Sequence, residues 1–368
     1  MKKFFILAAA ALVAFSACTK IEDVDSAPAK KITFQAASYV PQTKANVPVW
    51  DEFTSFKCKA FLHAAGYTSE TQNMFGAAGE TITPWQSDGS TAATSEANVS
   101  YWAPSHDYYW PKDASSYVNF VAWYDAKNTA PTTATETSLS WENYEVLTTD
   151  NLLFADEAWH YKKNTDNAAQ YTDPTDKVTS GVPMLFHHAL AQLCIKAKVK
   201  KASEGNTAWD VTLSDISLAG VYNKGTLTLT NTEPSASTFN TTVPWTVTGG
   251  NWSPTGNTSS VTMSDVTTPL TTTAVDVLKM QNVLPQTVTD DVVLNFKYNI
   301  SYKYNGTEYA HEKITAAVQL NSITDAISVW EMNKKITYTI TINPETTTIR
   351  IDPAMVEWEP QAGGSTTL

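Results

Sequence analysis

Short runs of alternating apolar and polar residues, separated by turn residues, constrain the fold of this chain more than any other feature. Long amphipathic helical patterns are nearly absent. Strict alternation over four to eight or more residues is typical of strands with one buried face, so the chain is predicted to be all-β and built from β-sandwiches. Clear examples are Phe56–Ala64, Leu193–Val199, Val211–Leu218, Val288–Tyr304, Glu308–Leu320 and Lys335–Ile342.

Turn residues mark the connections between these runs. Asn305–Gly306 stands between two alternating runs, and Asn-Gly is the strongest short signal for a two-residue hairpin. Asn223–Gly225 predicts a second tight connection. Two long tracts rich in Thr, Ser, Asn and Gly, at about residues 76–100 and 232–260, are predicted to be surface loops.

The first eighteen residues have the pattern of an export signal. Lys2 and Lys3 precede an apolar run over Phe4–Phe15, which is shorter than the roughly 20 residues needed to span a bilayer. The ending F-S-A-C resembles the lipobox of bacterial lipoproteins, although Phe15 stands where Leu is commoner. We therefore predict a signal peptide over residues 1–17 and a lipid-anchored chain that begins at Cys18. An ordinary signal peptide with a chance cysteine is the alternative.

Charge and motif content argue against several functional classes. With 25 basic and 37 acidic residues, the net charge of −12 gives no electrostatic reason to bind nucleic acid. The histidines lack the spacing of a zinc site, and the adjacent pair His187–His188 would point to opposite faces of a strand. The sequence contains no nucleophile elbow and no phosphate-binding loop. We therefore predict no enzymatic activity and no metal or other cofactor.

Cysteine and tryptophan positions leave two questions for the structure. Cys58 and Cys194 lie in strand-like runs, where either a disulfide or two buried free thiols fits an exported protein. Six tryptophans lie between residues 85 and 159. Those in strand-like runs, such as Trp110 and Trp123, are predicted to pack in the core. Two others flank a loop and are candidates for exposed aromatic residues that stack on a glycan, namely Trp85 and Trp102.

Four further segments occur in a characteristic order behind the lipobox. They are Ile32–Phe34 with Gln42–Ala45, Tyr108–Pro111 with Val118–Tyr124, Val182–Ala191, and Leu284–Gln286 with Trp330, Lys335–Ile340 and Val356–Trp358. Together they resemble the fimbrillin family of Bacteroidetes, the Mfa-like and FimA-like pilins. The resemblance covers most of the mature chain. One departure is Met332–Asn333, where a Gly would be expected before the Lys-x-x-Tyr strand.

The resemblance implies a fold and a place in the cell. It implies two tandem β-sandwich domains with a Greek-key-like, transthyretin-like topology, which we place at residues 32–185 and 186–368, after a lipidated tether over residues 18–31. It also implies export to the outer membrane, attachment there through the lipid, and assembly with other fimbrial subunits into surface fimbriae. A non-polymerising surface lipoprotein that binds a glycan or a host protein is the alternative function.

The resemblance further implies activation by proteolysis. In better-known members a trypsin-like protease cuts after an Arg or Lys beyond the first strand, and a strand of a neighbouring subunit fills the groove that is left. Here the first strand is predicted over residues 32–40, and its displaced residues are Ile32, Phe34 and Tyr39. Lys44 is the cleavage candidate. Lys30 and Lys31 are rivals, but a cut there would leave the strand in place.

The other end of the chain has two interpretations. Residues 350–358 predict a terminal strand broken at Pro353. This strand is either a donor for a neighbouring subunit or the last strand of the second domain, and a stalk role and a tip role both remain open. Its apolar residues are Ile351, Met355, Val356 and Trp358.

Overall fold

The computed structural model describes most of the chain between Lys31 and Trp358. The described residues are 31–38, 47–48, 52–63, 74–86, 91–95, 98–111, 116–147, 150–161, 181–232, 241–248, 250–256 and 258–358. They form strands, turns and bends, and no α-helix occurs among them. None of these segments contains a helix that is long and apolar enough to cross a bilayer. The prediction of an all-β chain is confirmed.

The strands of the first half are mostly short. They are β1 (Phe34–Ser38), β2 (Val47–Pro48), β3 (Phe56–His63), β4 (Glu80–Trp85), β5 (Tyr101–Pro104), β6 (Tyr117–Asp125), β7 (Thr133–Ala134), β8 (Ser138–Glu145), β9 (Leu152–Ala155), β10 (Glu157–Tyr161) and β11 (Val182–His188).

The second half contains the longer strands. They are β12 (Ala191–Val199), β13 (Ser203–Glu204), β14 (Thr207–Tyr222), β15 (Lys224–Thr230), β16 (Thr241–Val243), β17 (Trp252–Pro254), β18 (Thr258–Thr262), β19 (Val275–Val283), β20 (Gln286–Thr287), β21 (Val293–Tyr304), β22 (Thr307–Gln319), β23 (Val329–Trp330), β24 (Lys334–Asn343) and β25 (Thr348–Glu357).

Most strands of the first half belong to a ten-stranded sheet that closes on itself. Its main order is β16-β10-β6-β3-β4-β5-β1-β11-β9, and β2 pairs with β1 beside this path. The sheet closes because β9 pairs with β6 as well as with β11. The resulting ring of strands surrounds an apolar cluster, here called the inner cluster, that includes Phe34, Phe56, Phe120 and Met184.

Strand β6 illustrates why the sequence folds this way. The middle of its run Tyr117–Asp125 is apolar and fully buried. Phe120 and Ala122 contribute to the inner cluster, whereas Val121 and Trp123 contribute to a different one. A nearly continuous apolar run is typical of a strand that is buried on both faces, and β6 is such a strand.

The second half forms a sandwich of two sheets. One sheet has the order β19-β12-β24-β25, and the other has the order β13-β14-β21-β22 with β18 paired to β14. Alternating side chains from both sheets meet in a second cluster that includes Ile195, Val211, Phe296 and Tyr338. Fully burying a side chain of this size contributes about 1.5–3 kcal/mol, so this interior is the main support of the sandwich.

A third group of strands joins the two halves. The sheet β17-β15-β8-β7 combines strands of both halves, and β16 pairs with β10 of the ring. Beneath this sheet lies a third cluster, here called the junction cluster, that includes Trp141, Leu227, Trp252 and Trp358. The two halves therefore meet through paired strands and a shared apolar cluster.

The predicted hairpin at Asn305–Gly306 is confirmed. Strands β21 and β22 pair up to Tyr304 and Thr307, and the φ angles of Asn305 and Gly306 are 47° and 80°, as a type I′ turn requires. The connection at Asn223 is also tight. It carries the chain from β14 in one sheet to β15 in another, however, and does not close a hairpin.

Two predictions about irregular structure were wrong. The tracts at residues 76–100 and 232–260 contain β4, β16, β17 and the start of β18, because short segments with Thr, Ile, Val or Trp can pair in a sheet even when they lack a long apolar pattern. The expected break at Pro353 is also missing, since this residue pairs opposite Tyr338 within β25. Strand β25 is an edge strand, where a missing N–H is tolerated because it can face away from the neighbour.

Candidate functional site

Strand β1 is an interior strand of the ten-stranded ring. One of its edges pairs in parallel with β11, from Phe34 opposite Val182 to Ser38 opposite Phe186. The other edge pairs antiparallel with β5, where Phe34 lies opposite Trp102, and with β2. Because both edges are paired, removal of β1 would leave its neighbours with a row of unpaired N–H and C=O groups.

The ring of Phe34 is the centre of the apolar contacts of β1. Its exposed fraction is 0%, and it meets the rings of Phe56, Phe75 and Phe120 edge to face, at centroid distances of 6.2, 6.2 and 5.2 Å. Such ring pairs add about 0.5–1.5 kcal/mol each beyond the burial of area. Ile32 is buried in the same cluster. Both residues therefore hold β1 in the interior.

The residues before β1 are tied to the segment that follows β5. The N–H of Ile32 donates to the carbonyl oxygen of Tyr108 at 2.7 Å. The Lys31 ammonium pairs with Asp107 at 2.8 Å, and this hydrogen bond raises the pKa of Lys31. Both charged side chains are about half exposed, so the pair stabilises little. The backbone pairing of β1 thus extends beyond its amino-terminal end.

Gly181 allows β11 to approach β1 closely. Its φ is +121°, and a Cβ atom at this position would lie 2.8 Å from the carbonyl carbon of Phe34. Only glycine tolerates both the angle and the distance without strain. This role was not predicted, and the available signal is a glycine directly before the strand-like run that begins at Val182. The space that β1 fills between β11 and β5 is here called the slot. Its aromatic lining was not predicted either, because the lining residues are distant from β1 in sequence.

Several predicted site residues lie outside the described residues. They include Cys18, Tyr39 and Lys44, so lipidation and cleavage remain predictions. Their sequence position is still informative, because β1 ends at Ser38 and the paired β2 begins at Val47. A cut after Lys44 would therefore break the connection between β1 and β2.

Strand β25 lies at the edge of its own sheet. It pairs with β24 along its full length, and Ile351 and Trp358 are each only 5% exposed. The Trp358 ring stacks on His188 with a centroid distance of 3.7 Å. Met355 and Val356, in contrast, are 37% and 59% exposed. The terminal strand is thus anchored in the core of its own chain and presents an apolar pair to solvent.

The prediction that Trp102 is exposed was wrong. Its exposed fraction is 5%, because the alternation of β5 turns its ring into the inner cluster. Trp85 is half-buried, and its Nε1–H donates to the carbonyl oxygen of Ala103 at 3.2 Å. The core positions of Trp110 and Trp123 are confirmed. The aromatic residues that we selected as a glycan surface therefore do not form one.

Cys58 and Cys194 are both free and buried, which is the second of the two alternatives. Burial raises the pKa of the Cys58 thiol well above its usual value, and burial together with nearby Asp276 raises the pKa of Cys194. Raised values keep both groups as unreactive thiols. Neither cysteine has the environment of a nucleophile.

The adjacent histidines separate as expected of neighbouring strand residues. His187 pairs with Asp156 at 2.9 Å between nitrogen and oxygen. His188 is buried, and desolvation lowers its pKa to about 3, so its imidazole is neutral. In the described ranges, no group of three or more His, Cys, Asp or Glu side chains is placed to hold a metal ion. Among these features, the slot that β1 fills is therefore the one suited to binding another chain.

Comparison with known proteins identifies the family of this fold. The model of the fimbrillin-like family matches residues 64–358. A fimbrial protein from Bacteroides vulgatus shares 16% identity and has a TM-score of 0.50, over 90% of this chain and 100% of the other. Two further structures have lower TM-scores. A candidate cell adhesion protein from Bacteroides uniformis shares 18% identity and has a TM-score of 0.45, over 89% of this chain and 98% of the other. The fimbrial anchor protein Mfa2 from Porphyromonas gingivalis shares 9% identity and has a TM-score of 0.33, over 90% of this chain and 98% of the other.

No curated protein sequence matches this chain. The likeness to the Bacteroides vulgatus structure concerns the fold alone, because the identity is low. The family match, in contrast, extends over most of the sequence. It includes the strands that surround β1, from β4 to β11, and the whole of the second half. This chain belongs to the fimbrillin-like family.

Proposed function

We propose that this chain is a subunit of cell-surface fimbriae and that it polymerises by strand exchange. Strand β1 occupies its slot until a trypsin-like protease cuts the chain after Lys44, and a strand of a neighbouring subunit then takes its place. The observation that carries the proposal is the interior position of β1, paired on both edges. Family membership and the fimbrial relative from Bacteroides vulgatus support the fimbrial role.

The slot suits an incoming strand for two physical reasons. Once β1 has left, β11 and β5 offer backbone groups to a new strand, and main-chain hydrogen bonds supply affinity. The pocket of Phe34, lined by three aromatic rings, favours a donor with a large apolar side chain at the matching position. Before the cut, β1 covers an edge that would otherwise promote aggregation.

The amino-terminal residues have a linked role in this proposal. Residues 1–17 form a signal peptide, and Cys18 carries the lipid that holds the subunit at the outer membrane through a tether over residues 18–31. Acyl chains bind membranes with about 0.8 kcal/mol per buried methylene. Cleavage after Lys44 separates the folded subunit from this anchor, so the same cut would release the subunit and open its slot.

The proposed organisation is two tandem β-sandwich domains, at residues 32–185 and 186–368, with Greek-key-like and transthyretin-like topology. The separate inner and second clusters support a division close to this boundary, which falls within β11; Phe186, just beyond it, still belongs to the inner cluster. The sheet β17-β15-β8-β7 would then lie at the junction. For the uncut form, the anchoring of β25 by Ile351 and Trp358 supports its role as the last strand of the second domain. A donor role after cleavage would require those two residues to leave their core.

Limited trypsin treatment of the purified chain lacking its signal peptide tests the proposal. We expect a new amino terminus at Ala45 by mass spectrometry, followed by a ladder of oligomers on native gels. Lys44→Gln should prevent both, whereas Lys313→Gln, which changes an exposed lysine of β22, should prevent neither. A chain that is cut after Lys44 and stays monomeric would refute polymerisation by strand exchange.

The amino terminus on cells tests the anchoring step separately. Mass spectrometry should find a diacylated Cys18 on the unprocessed subunit and Ala45 at the start of the assembled form. A surface-located protein with neither acyl chains nor a start at Ala45 would contradict both steps. Lipid attachment and polymerisation can thus be refuted independently of each other.

A further inference from the structure

A cavity of about 590 Å³ lies at the junction between the two halves of the chain. This volume is within the roughly 300–1,000 Å³ that is usual for small-molecule sites, and such sites occur preferentially where two parts of a protein meet. None of its lining residues belongs to β1, β2 or β5, although His187 and His188 lie at the end of β11, beyond the residues that pair with β1. The strand slot therefore does not account for it.

Three separate parts of the chain form its walls. The ring side contributes Asp156, which lies between β9 and β10, and His187 of β11. The loop that follows β16 contributes Trp245 and Val247. Strands β24 and β25 contribute Lys334 and Glu357, which lie opposite one another.

The walls are held in place by hydrogen bonds and ring contacts. The Trp245 Nε1–H donates to the carbonyl oxygen of Ala155 at 2.8 Å, and the loop N–H of Thr246 donates to Thr230 at 2.8 Å. His187 stacks on Phe154 with a centroid distance of 5.5 Å. A site whose walls are already ordered loses little conformational freedom when a ligand binds.

The turn before β24 is fixed in the same way. Asn333 has a φ of 59°, and its N–H donates to the carbonyl oxygen of Leu190 at 3.0 Å. Its side-chain oxygen accepts from the N–H of His188 at 3.3 Å, and its carbonyl oxygen accepts from the N–H of Trp358 at 2.8 Å. The Asn in place of the expected Gly thus joins β11, β24 and β25 at the floor of the cavity.

Four ionisable side chains of the walls form two contacting pairs, and a fifth, Glu331, is an exposed part of the lining. His187 contacts Asp156 at 2.9 Å, and Lys334 contacts Glu357. Asp156 is only 5% exposed. An anion such as phosphate would have to compete with these carboxylates for the same donors, and no cluster of ligands for a metal ion occurs among the described residues.

Paired donors and acceptors beside an exposed apolar side chain suit a neutral polyhydroxylated ligand. A hydroxyl group both donates and accepts, so one hydroxyl can bridge an ammonium and a carboxylate, or an imidazole and a carboxylate. The apolar face of a sugar ring can in turn pack on an aromatic or aliphatic side chain. The exposed Val247, at 51%, supplies such a surface at the mouth of the cavity.

We propose that this junction cavity binds a neutral saccharide through Asp156, His187, Lys334 and Glu357. The site differs from the surface around Trp85 and Trp102, which the buried position of Trp102 excludes. Binding at the cavity does not depend on cleavage or strand exchange, because its walls belong to the uncut chain. It would give a fimbrial subunit the capacity to attach to a glycan as well as to its neighbours.

Titration of the uncut, monomeric protein with maltose, cellobiose, lactose and N-acetyllactosamine tests the proposal. Isothermal calorimetry should detect saturable binding of at least one of them at millimolar concentrations or below. Inorganic phosphate and spermidine are the charged controls and should not bind at the cavity. Absence of binding by all four saccharides, or competition by phosphate or spermidine alone, would overturn the proposal.

Two variants locate the site. Val247→Asp should remove the apolar surface at the mouth and weaken binding about tenfold, whereas the matched change Val275→Asp, at a residue 40% exposed on β19, should leave binding unchanged. The double variant Lys334→Met/Glu357→Gln removes a charge pair without leaving either charge unpaired. We expect it to weaken binding about tenfold, the loss of roughly one hydrogen bond to a charged group. Unchanged binding in both variants would place the saccharide elsewhere and refute the assignment.

Discussion

Replacing Phe34 by Ala tests how strongly β1 is held in its slot. The side chain is fully buried and meets three aromatic rings. Truncating a buried Phe to Ala costs about 3–5 kcal/mol. We expect about 4 kcal/mol, because the hydrogen-bonded β5 and β11 on either side prevent the slot from closing over the cavity. That free energy corresponds to a roughly thousandfold shift of the equilibrium toward released β1.

The shift is measurable as the departure of a labelled strand. Residues 19–368 would carry a dye at the amino terminus and a specific protease site inserted after Lys44. After cleavage, the fluorescence anisotropy of the dye falls when the strand leaves, and excess unlabelled strand peptide prevents its return. In the Phe34→Ala protein, the labelled strand should leave far faster than in the parent protein.

Phe296→Ala is the matched control. Phe296 is 1% exposed and lies in the second cluster, so its truncation should lower the stability of the sandwich by a similar amount. It should change the release of the labelled strand by no more than about twofold, because distant sites act independently. Equal acceleration by both variants would mean that release requires global unfolding, and no acceleration by Phe34→Ala would refute our account of the slot.

Three further outcomes are expected. Gly181→Ala should speed release of β1 and lower the urea midpoint, since its Cβ would lie 2.8 Å from the backbone of Phe34, at a cost of about 1–3 kcal/mol. Desolvation lowers the pKa of His188 to about 3 from 6.5. The stability that the neutral His188 contributes is therefore complete above pH 6.5 and is lost as the pH falls toward 3. In a plot of the urea midpoint against pH, His188→Gln should reduce the slope between pH 3 and 6.5. Burial raises the pKa of Cys58, so Ellman's reagent should modify it only as fast as the inner cluster opens.

Local sequence patterns predicted much of the secondary structure. The alternation along Glu308–Leu320 and Lys335–Ile342 corresponds to β22 and β24. Successive side chains of a strand point to opposite faces, so a strand with one buried face has an apolar residue at every second position. The Asn305–Gly306 turn was predictable for a similar reason, since few residue pairs adopt two positive φ angles. Pro353 misled the prediction, because the effect of a proline depends on whether its strand lies at an edge.

The candidate site was predicted only in part. Ile32 and Phe34 were recognised as inward residues of a first strand, from their alternation and from the family resemblance. The partners of that strand could not be inferred, because β11 and β5 are separated from β1 by long stretches of sequence. Trp102 illustrates the same limit. Its position beside a loop suggested exposure, yet the pairing of β5 directs its ring inward.

The sequence by itself determined the all-β fold class and the resemblance to the fimbrillin-like family, which the family match confirms; the export signal and the lipid site at Cys18 stay predictions. These properties depend on local residue patterns, or on the order of short motifs, and both can be seen in one sequence. The tertiary structure decided that β1 is an interior strand, that the sheet of the first half closes through β6 and β9, and that a cavity forms where the halves meet. Each of these depends on which distant segments pair, and pairing is set by the summed burial of many side chains rather than by any one segment.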